Sequence, residues 1–248
     1  MSAFRQKWDS TPDAIQFRTT NWELVVGAAD ATSPNWTQAL EDLCKVYWRP
    51  VYAFIRKRGH AREAAEDLTQ EFFARLLQSD FLSKADSNRG RFRCFLMASI
   101  DNFLRVEHRN ASTQKKGGGW QRIPLDDEEI ERTIQAELAD TATPEVMFER
   151  QWGQTLLGSV LRILEQEFAA VGRAELFQAL KPHLAGDPGA LPYQEVALKV
   201  GATLTGIKVS VHRARKRFQE LLRTEVAQLV GNPAEVDDEI RHLLQILS

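Results

Sequence analysis

The chain is poor in the residues that bind metals or staple small folds together. It has two cysteines, Cys44 and Cys94, fifty positions apart in 248 residues. That pair suggests neither a disulfide framework nor a zinc site, and a reducing cytoplasm suits it. The five histidines, at 60, 108, 183, 212 and 242, are scattered and read as structural or surface residues. No run of about 18 apolar residues occurs, so no membrane span is expected. The opening MSAFRQKWDS lacks the apolar core of a signal peptide, which makes a cytoplasmic location the expectation. No stretch alternates long enough for a strand; Leu24-Val25-Val26 is too short. Internal repeats are absent. The carboxylates have no His or Ser partner at catalytic spacing, so an enzyme such as a nuclease or recombinase is not expected, nor is a metal or cofactor.

Net charge is also nearly absent, at −2. The average hides segregation. From Arg49 to Lys116 there are fourteen Lys/Arg against eight Asp/Glu, and from Gln121 to Glu149 two against nine. From Lys199 to Arg223 seven basic residues face Glu220 alone. Two basic blocks separated by an acidic one suit a nucleic-acid binder better than the sum does.

The most informative stretch is Tyr193 to Leu222. Val196, Ala197 and Val200 form a short apolar stripe at helical spacing. Gly201 ends that helix, and Thr203 is an N-cap for the next. The second helix puts Ile207, Val211, Ala214, Phe218 and Leu221 on one face. Its other faces carry Lys208, His212, Arg213, Arg215, Lys216 and Arg217. A short helix, a glycine turn and a basic second helix form the helix-turn-helix pattern, whose second helix enters the major groove.

Upstream the chain also reads as helical. Thr20 to Glu23 fits a capping box opening a short helix to Ala29. Ser33-Pro34 opens a helix buried through Leu40, Leu43, Val46 and Tyr47, which Pro50 kinks or restarts before Val51, Phe54 and Ile55. Helices follow over Ala61 to Gln78 and Arg91 to Arg109, the second with Phe92, Phe95, Leu96, Ser99, Ile100, Phe103 and Leu104 inward. Residues 111–143 read as a linker, with Gly117-Gly118-Gly119, the acidic run Asp126 to Glu129, and a helix around Ile130 to Leu138. Thr143-Pro144-Glu145 starts a helix that ends near Gly172. Ala174 to Leu180 is expected to stop at Pro182. Asn232-Pro233 starts a tail helix with Val236, Ile240, Leu243, Leu244 and Leu247 on one face, expected to dock on its own domain.

The Tyr193-Gln194-Glu195-Val196-Ala197 opening, the Gly201 turn, Lys208 and His212-Arg213-Ala214-Arg215 resemble the C-terminal DNA-binding domain of bacterial sigma factors of the extracytoplasmic-function type. Asp67-Leu68-Thr69-Gln70-Glu71-Phe72-Phe73 resembles their polymerase-binding segment, and Arg91 to Arg109 resembles the adjoining −10 helix. A closer likeness to an extended sigma-like subgroup rests on Thr19-Thr20-Asn21-Trp22, Gly59-His60, Asp67 to Leu77, Gly90-Arg91-Phe92, Phe148-Glu149-Arg150-Gln151-Trp152 and Ala174-Glu175-Leu176-Phe177 through Pro182.

The resemblance implies an all-α fold of two helical domains joined by a flexible acidic linker. The divisions are an N-terminal extension (1–32), a region 2-like domain (33–112), the linker (113–143), a region 4-like helix-turn-helix domain (144–230) and a tail helix (231–248). It implies a transcription initiation factor that binds core RNA polymerase at the β′ clamp and β flap, and promoter DNA. An anti-sigma factor or other regulator is a further candidate partner.

By resemblance, Asp67, Gln70, Glu71 and Phe72 contact polymerase. Arg89, Arg91, Arg93, Asn102, Arg105 and Arg109 contact the −10 element, with a base pocket in the loop Ser83 to Gly90. Thr205, Lys208, Val209, His212, Arg213, Lys216 and Arg217 contact the −35 element. Asp126 to Glu129 would lie in the polymerase's RNA path. Three positions depart from the family: Val106 stands where Asp is common, Asn110 follows Arg109, and Ser210 stands where Arg is frequent. These departures remove polar reach toward DNA. The rival readings are a helix-turn-helix regulator that binds duplex as a dimer, and a degenerate sigma-like protein acting through partners.

Overall fold

A computed structural model describes residues 25, 28, 36–78, 82, 85, 91–111, 128–187, 189–230 and 232–248. All regular structure among them is helical. In chain order the helices are α1 (Trp36–Lys57), α2 (Arg62–Gln78), α3 (Phe92–Ala111), α4 (Glu128–Leu138), α5 (Pro144–Ala170), α6 (Ala174–Ala185), α7 (Tyr193–Lys199), α8 (Leu204–Leu229) and α9 (Val236–Leu247). A 3-10 turn, Pro233–Glu235, leads into α9.

Helix α1 is the axis of the molecule. Its first half buries the expected stripe, Leu40, Leu43, Val46 and Tyr47, and then every residue from Pro50 to Ile55 is buried. A helix buried on all sides needs neighbours on all sides; α2, α4 and α5 supply them. Pro50 sits inside this helix and does not restart it. An interior proline costs about 3 kcal/mol. Each fully buried large apolar side chain returns about 1.5–3 kcal/mol. With Tyr47, Val51, Phe54 and Ile55 all enclosed around it, burial wins.

The same arithmetic explains α6. The sequence expectation stopped it at Pro182, but the helix continues to Ala185 and ends at Gly186 in the left-handed region. Phe177 and Leu180 anchor it in the core. Pro182 lies in the last turn, where its carbonyl still accepts from Gly186 and Asp187.

One apolar core takes residues from both halves of the chain, including Leu43, Tyr47, Phe72, Leu96 and Ile100 from the first half and Phe148, Trp152, Leu164, Val226 and Leu243 from the second. Phe148 stacks on Tyr47 at 6.2 Å and meets Phe54 edge-on at 6.5 Å. Residues of both expected helical domains contribute to this core. A second, smaller core holds Leu180, Val196, Ala197, Ile207 and Val211. Phe168, packed on Phe177 at 5.5 Å, touches both.

Within the segment read as a linker, the helix expected around Ile130 to Leu138 is present as α4. Ile130, Ile134 and Leu138 fall at i, i+4 and i+8 on α4 and face the core. Arg56 of α1 pairs with Glu131 at 2.8 Å and donates to Gln135 at 2.7 Å. Tyr52 donates to Glu131; burial, and then that hydrogen bond, push its phenol well above the ordinary range. Lys57 donates to the Leu138 and Asp140 carbonyls, the exposed acceptors at the end of α4. Asp126 and Asp127 lie outside the described residues.

Val25 and Ala28, three positions apart in the N-terminal extension, are helical and buried. The Trp36 indole donates to the Ala28 carbonyl at 3.1 Å. The rest of the capping box and short helix expected there lies outside the described residues.

Burial raises the Cys44 thiol to about 12, with the neighbouring Glu41 charge adding to the shift, whereas Cys94 is exposed on α3. One thiol per chain is expected to react quickly with a disulfide reagent near neutral pH, and the second only in denaturant; two equally fast thiols would contradict this burial. Phe148→Ala is expected to cost about 3–5 kcal/mol. Because the core is shared, its denaturation, followed by circular dichroism and tryptophan fluorescence, should remain one transition.

Candidate functional site

Three helical faces carry the residues singled out in the sequence. On α2, Asp67 and Glu71 are exposed, four positions apart, and Gln70 is partly buried beside them. Glu71 pairs with Arg75 at 2.6 Å. Arg75 also reaches Glu107 of α3 at 2.5 Å and lies over the Phe103 ring at 4.9 Å. The carboxylate face is thus braced from beneath. Phe72, expected to contact polymerase, points instead into the core, 3% exposed, against Phe73 and Phe103. At three residues from Thr69 and four from Leu76, both buried, it belongs to the inward stripe of α2.

On α3 the expected DNA-facing residues divide into two groups. Asn102, Arg105 and Arg109 are exposed and, with Val106 and His108, line a shallow open depression. Arg105 pairs with Asp101 at 2.6 Å and remains 72% exposed. Phe92 and Phe103 are core residues, as their helical spacing implied, and Phe95 is half-buried beside Phe92. Arg89 and the loop 83–90, apart from Ala85, lie outside the described residues.

Arg91 and Arg93 are held. Arg93 is 3% exposed, so it does not present a free face to DNA in this arrangement. Its Nη1 donates to Glu239 Oε1 at 2.5 Å, its Nε to Glu149 Oε1 at 3.2 Å, and its guanidinium lies 4.4 Å from the centre of the Trp152 ring. Arg91 Nη2 reaches the other Glu239 oxygen at 2.6 Å. Burial lowers the Arg93 pKa, but the hydrogen bond and charge of Glu239, with Glu149, more than offset it and leave the group above its ordinary value. A buried charge persists only with such partners.

Glu239 was not singled out in the sequence, and a signal for it exists. It sits three residues after Val236 and four before Leu243, on the apolar stripe of α9, where an unpaired carboxylate would be costly. The same stripe was expected to bury Leu244, which is instead 59% exposed, because Glu239 and Leu243 turn the inward face past it.

The five residues Phe148 to Trp152 on α5 each contact another part of the chain. Phe148 fills the core between Tyr47 and Phe54. Glu149 meets Arg93 and His242. Arg150 pairs with Asp140 at 2.5 Å and donates to the Ile246 carbonyl at 3.2 Å. Gln151 accepts from Arg49 of α1 and donates to Glu137 of α4 at 2.9 Å. Trp152 lies under Arg93. The run joins α1, α3, α4 and α9 to α5.

The third face is α7 with the first half of α8. Gly201, at φ 65°, lets the Ala202 N–H return to the Ala197 carbonyl at 2.9 Å and closes α7. Thr203 caps α8, accepting from Gly206 at 3.1 Å. Ile207 and Val211 face the small core. Thr205, Lys208, Val209, His212, Arg213 and Lys216 are exposed. Arg217 is tied to Glu167 of α5 at 2.6 Å and to Glu220 at 3.2 Å, and the Glu167 hydrogen bond chiefly raises its pKa. Arg215 donates to the His183 carbonyl.

Among the described residues no group of three or more His, Cys, Asp or Glu is placed to hold a metal, and no helix is long and apolar enough to cross a membrane.

Residues 43–113 match the family model for sigma-70 region 2. The match runs from within α1 through α2 and α3, and it contains both the Asp67 to Glu71 face and the arginines of α3. It shows that this part of the chain is similar to region 2 of sigma-70 factors. No curated protein and no solved structure matches the chain.

Within the region 2 segment, stability and surface function are separable. Arg93→Ala leaves Glu239 buried beside only Arg91 and is expected to cost about 3–5 kcal/mol. Arg105→Ala, on the open face, should stay within about 0.5 kcal/mol. Urea denaturation of the two variants measures the contrast; equal midpoints would contradict the burial of Arg93.

Proposed function

We propose that this chain is an extracytoplasmic-function-type sigma factor that directs core RNA polymerase to promoters through −10 and −35 contacts. The observation that carries the reading is the region 2 match, with the exposed Asp67 and Glu71 inside it. Two carboxylates one helical turn apart suit a basic helical surface such as the polymerase clamp. Gln70 adds a polar contact between them, and Phe72 sets the face by anchoring α2 from within.

In this reading the α3 surface serves the −10 element. Asn102, Arg105 and Arg109 stand ready for phosphate and base edges, and Arg91 and Arg93 join them when released. Arg89 would extend the same row. The −35 contact falls to α7 and α8 as a helix-turn-helix. Its support is the glycine turn, the Thr203 cap, and six exposed side chains on the first half of α8: Thr205, Lys208, Val209, His212, Arg213 and Lys216. Arg217 would add a phosphate contact if its pairing with Glu167 gives way. An anti-sigma factor or other regulator remains a partner of this same reading.

The test is binding of the full-length protein to core RNA polymerase, comparing wild type with Asp67→Arg plus Glu71→Arg. The wild type is expected to bind, and the double reversal to lose binding by about a hundredfold or more, since like charges facing each other across an interface cost several kcal/mol. A folded wild type that ignores polymerase and binds duplex directly would make the protein a plain helix-turn-helix regulator instead.

A further inference from the structure

The carboxylates of α2 are exposed, but Arg93 of α3 is buried and Arg91, just before α3, is only a third exposed. Arg93 donates to one oxygen of Glu239, a residue of the last helix 146 positions farther on, and Arg91 forms an ion pair with the other oxygen at 2.6 Å. The Glu239 side chain is fully buried there. A carboxylate offers two anionic oxygens to the two guanidiniums, as a backbone phosphate would. Farther along the same helix, Asn102, Arg105 and Arg109 are open.

Helix α9 is seated by more than this contact. Leu243 is fully buried against Gly153 of α5, where an added Cβ would come within 2.8 Å of Leu243 Cδ1. His242 meets Glu149, the second carboxylate on Arg93. At the other edge Arg223 of α8 pairs with Asp237 at 2.6 Å, and that contact is well exposed. The helix is short, twelve residues. The exposed Arg223–Asp237 pair is open to competition by other ions, whereas the buried Glu239 pairs are screened much less.

We propose that α9 is an internal latch: Glu239 occupies Arg91 and Arg93 in place of nucleic-acid phosphate, and undocking of α9 releases both arginines. The proposal deepens the sigma-factor reading, on which the nucleic-acid role of the two arginines rests. The closed chain presents its polymerase face while withholding part of its −10 face.

The test uses the full chain and a fluorescent single-stranded thymidine oligonucleotide. Glu239→Gln is compared with wild type and with Asp238→Asn, an exposed carboxylate of the same helix that pairs with Arg241. Binding is followed by anisotropy across a salt series, and the opening of α9 by hydrogen exchange of its amides. Glu239→Gln is expected to speed exchange in α9 and tighten binding about tenfold, with a salt slope steeper by about 1.4, roughly 0.7 for each of two new phosphate contacts. Asp238→Asn should match wild type. Adding Arg91→Gln to Glu239→Gln should remove about half of the extra slope.

Faster exchange in α9 with unchanged oligonucleotide binding overturns the masking role, and unchanged exchange overturns the latch itself. If Glu239→Gln does not fold, Leu243→Ala loosens the same seat without touching a charge; it must tighten binding likewise, and failure to do so overturns the proposal. The sigma reading is scored separately by polymerase binding. Loss of that reading with the oligonucleotide gain intact leaves the latch standing on nucleic acid alone, and the reverse result removes only the latch.

Discussion

The arrangement of this protein depends on the burial of one guanidinium. Arg93 is taken out of water where α3, α5 and α9 meet, and the groups that compensate it come from elsewhere in the chain: Glu149 and Trp152 from α5, Glu239 from α9. Isolated, that charge would be too costly to bury. Its position therefore requires the two halves of the chain to be assembled at once, with the C-terminal helix in place. Apolar contact supplies most of the stabilisation, through Tyr47, Phe54 and Phe148, but apolar contact is tolerant of sliding. The ion pairs set which helix lies where.

The acidic block between the basic ones takes on a structural sense in this light. Glu131 and Glu137 are bonded to Arg56, Tyr52, Gln151 and Gln154, so part of the segregated charge is consumed within the molecule. Exposed basic side chains are concentrated on the far end of α3 and on the first half of α8. The chain's near-neutral net charge is the sum of an internal adhesive and two outward-facing surfaces.

Much of the helical plan was legible from sequence. Thr143-Pro144 and Asn232-Pro233 start their elements as cap and N1 chemistry requires, and the Gly201 turn falls where the apolar stripes leave room for it. The local signals failed where tertiary burial overrode them, at Pro50 and Pro182. The site was half legible. Charged residues at helical spacing identified the open faces of α2, α3 and α8. They could not tell a solvated arginine from a buried one, because Arg91 and Arg93 look alike in sequence to Arg105 and Arg109, and their partner is a carboxylate far down the chain. The alternatives for domain placement differed only in long-range contacts, to which periodicity is blind.

Helix α8 runs unbroken for 26 residues, about 39 Å at the helical rise. Its first half roofs the small core and carries the exposed basic side chains, while its second half is wedged in the main core through Leu221, Leu222, Val226 and Leu229. Mechanically it is a lever with its fulcrum near the Arg217–Glu167 contact. A tilt of about ten degrees at the wedged end would sweep the far tip through several ångströms, roughly 3–7 depending on the pivot, on the same rise per residue. Any repacking of the main core is thereby geared to the position of the basic tip, and a small shift where the helices meet becomes a large one where the chain faces outward.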